Sequence, residues 1–594
     1  MKNLIKSAIA LSVVSAMSSS FAEEAVSYTI SEYSGLDNIK NTYAIEQTNI
    51  GQTLIVGQTS YNFPVQFDYL DEDDFDRIVR LAERDHEAVF ELYEIDEQAE
   101  EQLRAGNPDA NALSWTIRYL RTAGGSENQR IGDTFVYRYD ENSKQAFELP
   151  VFDSAFPETG QLTRSTVDSA QGMTDDGWVF GFSSAPYLPL EPFDDDGEEE
   201  IHWYREFDQR GWISFDGETV IELPPAEAKY GGLSAIYDVN SNRVAVGTSS
   251  VALSSRTLDD IEKEDDYCLT DNLINDIPLE ICIQNRRRQL YYSNAFLWEM
   301  NEQGEIVNTV DLGTGIVNPN EEDERAFVSA ATAINDDGVI VGFSDFWWDE
   351  DETEPSKTER KGQFAAVFKD GEVIQFTDRD EYFESRALDI NNAGMFTGYM
   401  YAYINGKPRT KFFYADANSD VITPVFPEDF FKGSASYPHA INDNNIIVGE
   451  GEVEDFVDSS EFPRRRHGFL YDIGNAQFYN VNQFLSCEDQ AKYVIVEAKD
   501  INERNEILAT AWVRKPKLDS QGQPFSIDGE IVEGAEEDVL RVVVLKPTGS
   551  TFSVNDCRED LGETIERQGA SMSWSLWLLA LFGFGARQLR TKNL

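Results

Sequence analysis

The chain has 594 residues, with 108 acidic side chains against 49 Lys and Arg, so its formal net charge is −59 at pH 7. This excess of negative charge repels nucleic-acid phosphates and anionic lipid headgroups, which excludes nucleic-acid binding and charge-driven membrane binding. Hydrophobic residues make up 41% of the chain and aromatic residues 12%, so the composition is that of a folded protein and excludes a disordered acidic tail.

Residues 1–22 have the organisation of a secretory signal peptide. Two lysines precede a short apolar stretch, and a small-x-small cleavage site ends at Ala22. The apolar stretch is too short for a membrane-spanning helix. We therefore expect an exported protein whose mature chain begins near Glu23.

A hairpin motif recurs between residues 44 and 511. In its clearest copy, from Ala333 to Ser344, Asn335 leads a tight turn and Gly338 takes the fourth turn position. Asn bonds local backbone groups and Gly accepts a positive φ, so the motif predicts two strands joined by a turn. The corresponding second-strand residues of the copies are Gly57, Gly181, Gly247, Gly342, Gly398, Gly449 and Ala509.

A second hairpin follows each copy, so each unit has four short strands. Four-stranded units of about 50 residues that recur seven times predict an all-β, seven-bladed β-propeller, because each sheet buries its faces against its neighbours. The propeller is expected over 23–548, followed by a linker at 549–568. Strands at 27–31 and 540–545 would complete the last blade and close the ring. A β-solenoid or two stacked β-domains are the alternatives.

Long connections join the second strand of each unit to the third. These loops share one face of an up-and-down propeller, so we expect a single insertion face, which is where repeat proteins usually bind ligands. The connections span residues 58–131, 184–210, 249–293, 345–363, 400–411, 450–467 and 513–538. Apolar residues at helical spacing predict a helical insertion at about 68–122, which either caps the propeller or fills its core.

Acidic runs at 194–200 and 349–352 are typical of solvated loops. Weak divalent-cation binding in these loops is the alternative, because carboxylates are hard oxygen ligands. No other cofactor is expected.

The four cysteines favour disulfides, because their number is even and the chain is expected to be exported. No Cys-x-x-Cys spacing indicates a zinc site. Four cysteines allow three pairings, of which Cys268 with Cys282 and Cys487 with Cys557 closes the most local loops. The first pair would staple the insertion at about 249–293.

Two basic triplets interrupt the acidic background just ahead of a third strand, and both are expected on the insertion face. They are Arg286, Arg287 and Arg288, and Arg464, Arg465 and Arg466 followed by His467. Arginine forks suit carboxylate or sulfate groups, so an anionic polysaccharide or an acidic protein segment is a candidate ligand. Salt bridges to neighbouring acidic loops are the alternative.

Two patterns resemble known exported families. The motif from Ala333 to Ser344, together with Asn294–Trp298, resembles HAF-type repeats, which read A-x-x-I-N-x-x-G-x-V-V-G-x-S and A-F-L-W. Residues 569–594, with a small-residue motif, an apolar segment and a basic end, resemble GlyGly-CTERM sorting tails, although Gly-Ala-Ser replaces the Gly-Gly pair. An ordinary C-terminal membrane anchor is the alternative for this segment.

The whole chain is similar to an uncharacterised family of exported gammaproteobacterial proteins, a domain of unknown function. The resemblance implies a location in the periplasm, outer membrane or cell surface of a Gram-negative bacterium, with membrane contact only through the C-terminal segment. It implies no activity.

Catalytic motifs are lacking in the sequence: the four histidines have no metal-ligand spacing, and no G-x-S-x-G or P-loop occurs. We therefore expect a monomeric, non-catalytic binding or scaffolding propeller whose partner is an envelope protein or a polysaccharide. The alternative is a secreted carbohydrate-active hydrolase or lyase with its site among the insertions, because paired carboxylates could come from many of the abundant Asp and Glu.

Overall fold

A computed structural model describes residues 24–89, 91–156, 159–195, 198–263, 267–270, 277–349, 353–456, 463–527, 529–553 and 557. The predicted signal peptide at 1–22 and the C-terminal segment at 569–594 lie outside these residues, as does most of the predicted linker. None of the described helices is long and apolar enough to cross a membrane.

Seven antiparallel sheets surround a common axis and form a seven-bladed β-propeller, which confirms the predicted fold. The first strands of successive sheets contact one another around a complete circle, so they are the innermost strands. Blade 5 has three full strands, and a single bridge between Tyr414 and Val425 takes the fourth place.

The strands, from the first of each blade outward, are Ile39–Gln47, Gln52–Ser60, Thr134–Asp140 and Gln145–Leu149 in blade 1; Asp168–Met173, Val179–Ser183, Arg210–Ser214 and Ile221–Leu223 in blade 2; Ser234–Val239, Val244–Leu253, Tyr291–Met300 and Ile306–Gly313 in blade 3; Ser329–Ile334, Ile340–Trp347, Lys361–Lys369 and Glu372–Gln375 in blade 4; Glu384–Ile390, Met395–Ile404 and Lys407–Asp416 in blade 5; Ser436–Ile441, Ile446–Glu452, Arg466–Asp472 and Gln477–Asn480 in blade 6; and Tyr493–Ile501, Ile507–Pro516, Glu536–Ser553 and Glu24–Glu32 in blade 7.

Blade 7 combines the two ends of the described chain. The N-terminal strand Glu24–Glu32 pairs antiparallel with Glu536–Ser553, with Tyr28 opposite Pro547 and Ile30 opposite Leu545. This pairing closes the ring in the way that the sequence predicts.

The first insertion contains three helices, α1 (Glu72–Asp85), α2 (Glu97–Arg104) and α3 (Ala110–Thr122). Their apolar faces bury Ile78, Leu103 and Trp115 in one cluster with Ile39 of blade 1 and Val542 of blade 7. The helical insertion therefore packs onto the propeller.

Within the ranges that the structure describes, the other insertions hold only short strands and helices. They are the strands Leu188–Pro189, Phe193–Asp195, Glu198–Glu200 and Trp203–Tyr204, the helices Ser255–Glu262 and Leu279–Arg286, and the strands Ser526–Ile527 and Glu530–Ile531. The connection expected at 400–411 is not a loop. Both strands continue through it and meet in a tight turn at Asn405 and Gly406, which have positive φ. The two strands are thus longer than the sequence pattern indicates.

Two disulfides staple the chain. Cys268 bonds to Cys282 with their Cα atoms 5.7 Å apart, and Cys487 bonds to Cys557 with 5.3 Å between Cα atoms. This is the more local of the pairings that the sequence allows, and such bonds are typical of an oxidising compartment.

The asparagine of the repeat links neighbouring blades. In blades 3 to 7 it is buried, and its Oδ1 accepts hydrogen bonds from N–H groups of its own turn. Its Nδ2 donates to the carbonyl of the equivalent residue in the next blade at 3.0, 3.1, 3.0 and 3.0 Å, from Asn240 to Asn335, Asn391, Asn442 and Asn502 in turn. One side chain thus fixes both its own turn and the next blade.

Each first strand has a β-bulge at the same position. The seven bulge residues, here named the bulge ring, are Ile45, Gln171, Tyr237, Thr332, Leu388, His439 and Lys499. The bulge moves a carbonyl over the second-strand glycine, so a Cβ on Gly342 would lie 2.0 Å from the carbonyl oxygen of Ala330. In blades 2 to 6 the repeat therefore needs glycine there because of close backbone approach, whereas blade 7 has Ala509 at this position.

Candidate functional site

The end of the propeller channel on the insertion face gathers polar and aromatic side chains from blades 5 to 7. First strands begin at this face, so Arg386 and Tyr437 lie near it, and Tyr399 stands opposite Arg386 in the ladder of blade 5. We call the group the channel mouth. Its residues are Glu384, Arg386, Tyr399, Tyr401, Tyr437, His439, Glu450, Arg466, Glu497 and Lys499, and electrostatic interactions connect them.

A continuous series of aromatic rings leads into the channel mouth from outside. This aromatic run consists of Tyr403, Phe383, Tyr401, Tyr399, Tyr437 and His439. Successive ring centroids are 4.8, 5.5, 5.6, 4.7 and 5.2 Å apart, which is the spacing of packed aromatic pairs. Tyr403 is 68% exposed and Tyr399 only 6%, so the run passes from solvent to the interior.

The extended hairpin of blade 5 positions the outer part of the run. Tyr401 and Tyr403 both lie on Met395–Ile404, the second strand of blade 5, where alternate residues share one face of the sheet. Phe383 immediately precedes the first strand and contacts both tyrosine rings. The two strand extensions that replace the expected loop therefore present the exposed aromatic group.

Arg386 holds a central place in the channel mouth. Its Nη2 atom donates to Gln363 Oε1 at 3.0 Å, and its guanidinium lies 4.2 Å from the centroid of the Phe343 ring. Its charge acts on Tyr237 of blade 3 as well as on Tyr437 of blade 6. Its Nε atom is buried and has no hydrogen-bond partner among the residues that the structure describes.

His439 and Glu497 form a partly buried pair at the inner end of the run, with Nε2 3.1 Å from Oε1 and side chains that are 11% and 24% exposed. Burial lowers the pKa of His439 well below its usual value, and the charges of Lys499 and Arg466 lower it further. Burial also raises the pKa of Glu497, whose Oε2 accepts a hydrogen bond from Thr510 at 3.2 Å. Both shifts favour the uncharged forms.

The formal charges of the channel mouth balance. Arg466 pairs with Glu450, and an Arg386 Nη2 atom lies 3.4 Å from Glu384 Oε1. Lys499 lies within electrostatic reach of the His439–Glu497 pair. This surface thus differs from the remainder of a chain whose net charge is −59.

The other end of the channel carries partly buried acids that join blades. They are Glu46, Asp238, Asp389 and Asp500, each next to a bulge residue in alternate blades, and they accept backbone N–H groups of Met173, Ile334, Ile441 and Gln47 at 2.9, 2.8, 2.7 and 2.8 Å. Burial raises their pKa values, that of Asp238 to about 6 and that of Asp389 to about 8. These hydrogen bonds give the acids a structural role.

Two arginines of the first triplet, Arg286 and Arg287, are engaged within the insertion face. Arg287 is 1% exposed, its Nη2 atom lies 2.9 Å from Asp208 Oδ1, and its Nη1 atom donates to the carbonyl of Glu206. The guanidinium of Arg286 lies 3.5 Å from the centroid of the Tyr267 ring. Arg288 is exposed.

The second triplet also pairs with acids. Arg464 is bonded to Glu452 at 2.6 Å with both side chains buried, whereas the Arg465–Glu454 pair at 2.5 Å is half exposed. His467 Nδ1 lies 3.0 Å from the amide nitrogen of Asn480. These contacts agree with the alternative interpretation, in which the arginines form salt bridges with neighbouring acidic residues. Of the seven predicted ligand-binding residues, only Arg466 belongs to the channel mouth. Anion binding by the triplets stays a prediction.

A cavity of about 270 Å³ lies where the helical insertion meets blade 1 and the insertion of blade 7. Tyr61, Phe63, Tyr93 and Phe525 line it together with three cationic side chains. Each cation has an acidic partner: Lys40 pairs with Glu537, Arg121 with Asp133 and Lys517 with Glu91. An anion entering this cavity would have to displace a carboxylate.

Metal chemistry finds no support in the described part of the chain, where no three His, Cys, Asp or Glu side chains are grouped to hold an ion. The acidic runs at 194–200 and 349–352 lie partly outside the described residues.

Sequence reasoning missed the aromatic run because its members come from two strands of different blades and one loop. The available signal was the alternation of tyrosines at 399, 401 and 403, which places three rings on one sheet face next to a channel-lining strand.

Comparisons with known proteins place the chain in a family without assigning an activity. Among solved structures, the β-propeller domain of the Trilobed protease from Pyrococcus furiosus, described as having an open velcro topology, shares 9% identity. The match covers 64% of this chain and 98% of that one with a TM-score of 0.23, a likeness too weak to bear on function. No curated protein matches the chain. A family model matches residues 4–588, and the chain therefore belongs to the DUF3466 family of proteins of unknown function.

Proposed function

We propose that this protein is an exported, non-catalytic binding propeller of a Gram-negative envelope, and that its ligand binds at the channel mouth. The aromatic run carries this proposal. It joins a 68% exposed ring to the propeller axis, and accessible aromatic rings with polar edges are typical of ligand-binding surfaces. The polar side chains of the surrounding repeats, by contrast, form the hydrogen bonds that hold neighbouring blades together.

Export is supported by independent features. The disulfides suit an oxidising compartment, and residues 1–22 have the organisation of a signal peptide. The HAF-like repeats and the sorting-tail-like C-terminus are typical of exported proteins. Cell fractionation should find the protein in the envelope with no free thiols, and a cytoplasmic protein with reduced cysteines would contradict export.

Co-sedimentation with isolated envelope material tests the binding site. We expect the wild-type protein to sediment with this material and the double variant Phe383→Ala, Tyr403→Ala to remain in the supernatant. Phe147→Ala is the matched control, because Phe147 is an exposed aromatic residue on the outer strand of blade 1. Equal sedimentation of wild-type and double-variant protein would place the binding site elsewhere.

A carbohydrate-active enzyme is the second candidate, favoured by the His439–Glu497 pair. Titratable groups with opposed pKa shifts are common at catalytic sites. If the protein cleaves polysaccharide, Glu497→Gln should abolish the release of reducing ends and leave binding intact. Absence of turnover by the wild-type protein on a polysaccharide that it binds would reject this candidate.

A further inference from the structure

We infer that the ligand of the channel mouth is an uncharged oligosaccharide lying along the aromatic run, with its inner end at Arg386. The inference rests on the proposed function and names the chemistry of the same site. Three observations lead to it: the charge of the surface, the free polar groups and the shape of the ring series.

The charge of the surface disfavours ionic ligands. An anion approaches a protein of net charge −59, and two cations of the mouth, Arg386 and Arg466, already pair with Glu384 and Glu450. A cationic ligand would be repelled by the positive charges of Arg386, Arg466 and Lys499. An uncharged ligand avoids both costs, because it leaves these ion pairs in place.

The free polar groups suit a ligand with many hydroxyls. The hydroxyls of Tyr399, Tyr401, Tyr403 and Tyr437 make no hydrogen bond to any residue that the structure describes. The Arg386 Nε atom is a buried donor without such a partner. Hydroxyl groups act as both donor and acceptor, so a polyhydroxylated ligand can satisfy phenol and guanidinium groups together.

The ring series suits an extended, repeating ligand. The Phe383 and Tyr401 rings are stacked at 29°, whereas Tyr401 and Tyr399 meet edge to face at 89°. Ring orientation therefore changes from one pair to the next, and each tyrosine of the run has an apolar face and a hydroxyl-bearing edge. A pyranose has the same two-sided character, with C–H groups on its faces and hydroxyls around its edge, so successive sugar units can stack and hydrogen-bond in turn.

Titration calorimetry of the mature protein against cellohexaose, maltohexaose and chitohexaose tests the inference, with oligogalacturonate and hexalysine as charged probes. We expect one of the uncharged hexasaccharides to bind with an affinity that is insensitive to salt, because no charge pairing is involved. Tyr403→Ala should weaken this binding roughly tenfold or more, as truncation of an aromatic anchor does. Phe147→Ala should bind as the wild type does.

The possible outcomes separate the inference from the proposed function. Binding of a charged probe alone, lost in the Phe383→Ala, Tyr403→Ala variant, would overturn the oligosaccharide inference and keep the channel mouth as the binding site. Salt-sensitive oligogalacturonate binding lost in an Arg464→Ser, Arg465→Ser variant would overturn both. No binding of any uncharged hexasaccharide at millimolar concentration would overturn the inference.

Discussion

Replacing Asn391 by alanine tests the role of the repeat asparagine in joining blades. This side chain is 4% exposed and makes four hydrogen bonds. Its Oδ1 accepts from the N–H groups of Ala393 and Met395, and its Nδ2 donates to the carbonyl of Asn442 and to Asn445 Oδ1. At about 1 kcal/mol for each net hydrogen bond, with a further penalty for buried groups left unpaired, we expect a loss of about 3–5 kcal/mol.

Urea denaturation followed by tyrosine and tryptophan fluorescence measures this loss as a fall in the transition midpoint at unchanged slope. Asn475→Ala is the matched control, because Asn475 bonds only to its own exposed turn at Asp472. The control should lose less than about 0.5 kcal/mol. A midpoint for Asn391→Ala within error of the control would refute the view that this asparagine links blades.

Three further predictions concern the glycine, the partly buried acids and the arginines. Gly342→Ala should destabilise the protein by about 2–4 kcal/mol, since its Cβ meets the Ala330 carbonyl at 2.0 Å, whereas Gly124→Ala has nothing within 4 Å and should be nearly neutral. Burial raises the pKa of Asp389 to about 8, above the unfolded value of about 4, so its stabilising contribution is full below about pH 4 and is lost as the pH rises to 8. Urea midpoints should therefore fall less steeply between pH 5 and 8 in Asp389→Asn than in the wild type or in the control variant Asp420→Asn, whose side chain is exposed. Parallel slopes would contradict this. Arg464→Ser leaves the buried Glu452 carboxylate with only the more distant Arg409, 3.9 Å away, and should lose about 3 kcal/mol. Half-exposed Arg465→Ser should lose less than about 1 kcal/mol, and equal losses would reject this ranking.

The fold could be predicted because the residues that form the turn and the bulge of each repeat are recognisable in the sequence. Asn335 and Gly338 indicate a turn, because Asn bonds local backbone groups and Gly accepts a positive φ. Gly342 indicates the bulge, because the carbonyl of the bulged strand lies against it. The spare strands at the two ends predict ring closure for the same reason, since an unpaired strand edge must find a partner.

The candidate site could not be predicted in the same way, because bulges and distant pairings create it. A bulge breaks the period-two alternation of a strand, so the face on which His439 lies is not given by its sequence position. The neutralisation of Arg464 depends on Glu452, which lies on the facing strand and becomes a neighbour only through the register of blade 6. Neither the face of His439 nor the pairing of Arg464 with Glu452 can be read from the order of residues along the chain.

Hydrogen exchange of the mature protein, with and without the envelope ligand or a bound hexasaccharide, tests the binding site most directly. The account predicts that protection on binding is concentrated in 383–404 and 434–440, which hold the aromatic run. Protection confined to 279–290 and 463–467, around the arginine triplets, or to 61–133, around the helical insertion, would contradict it.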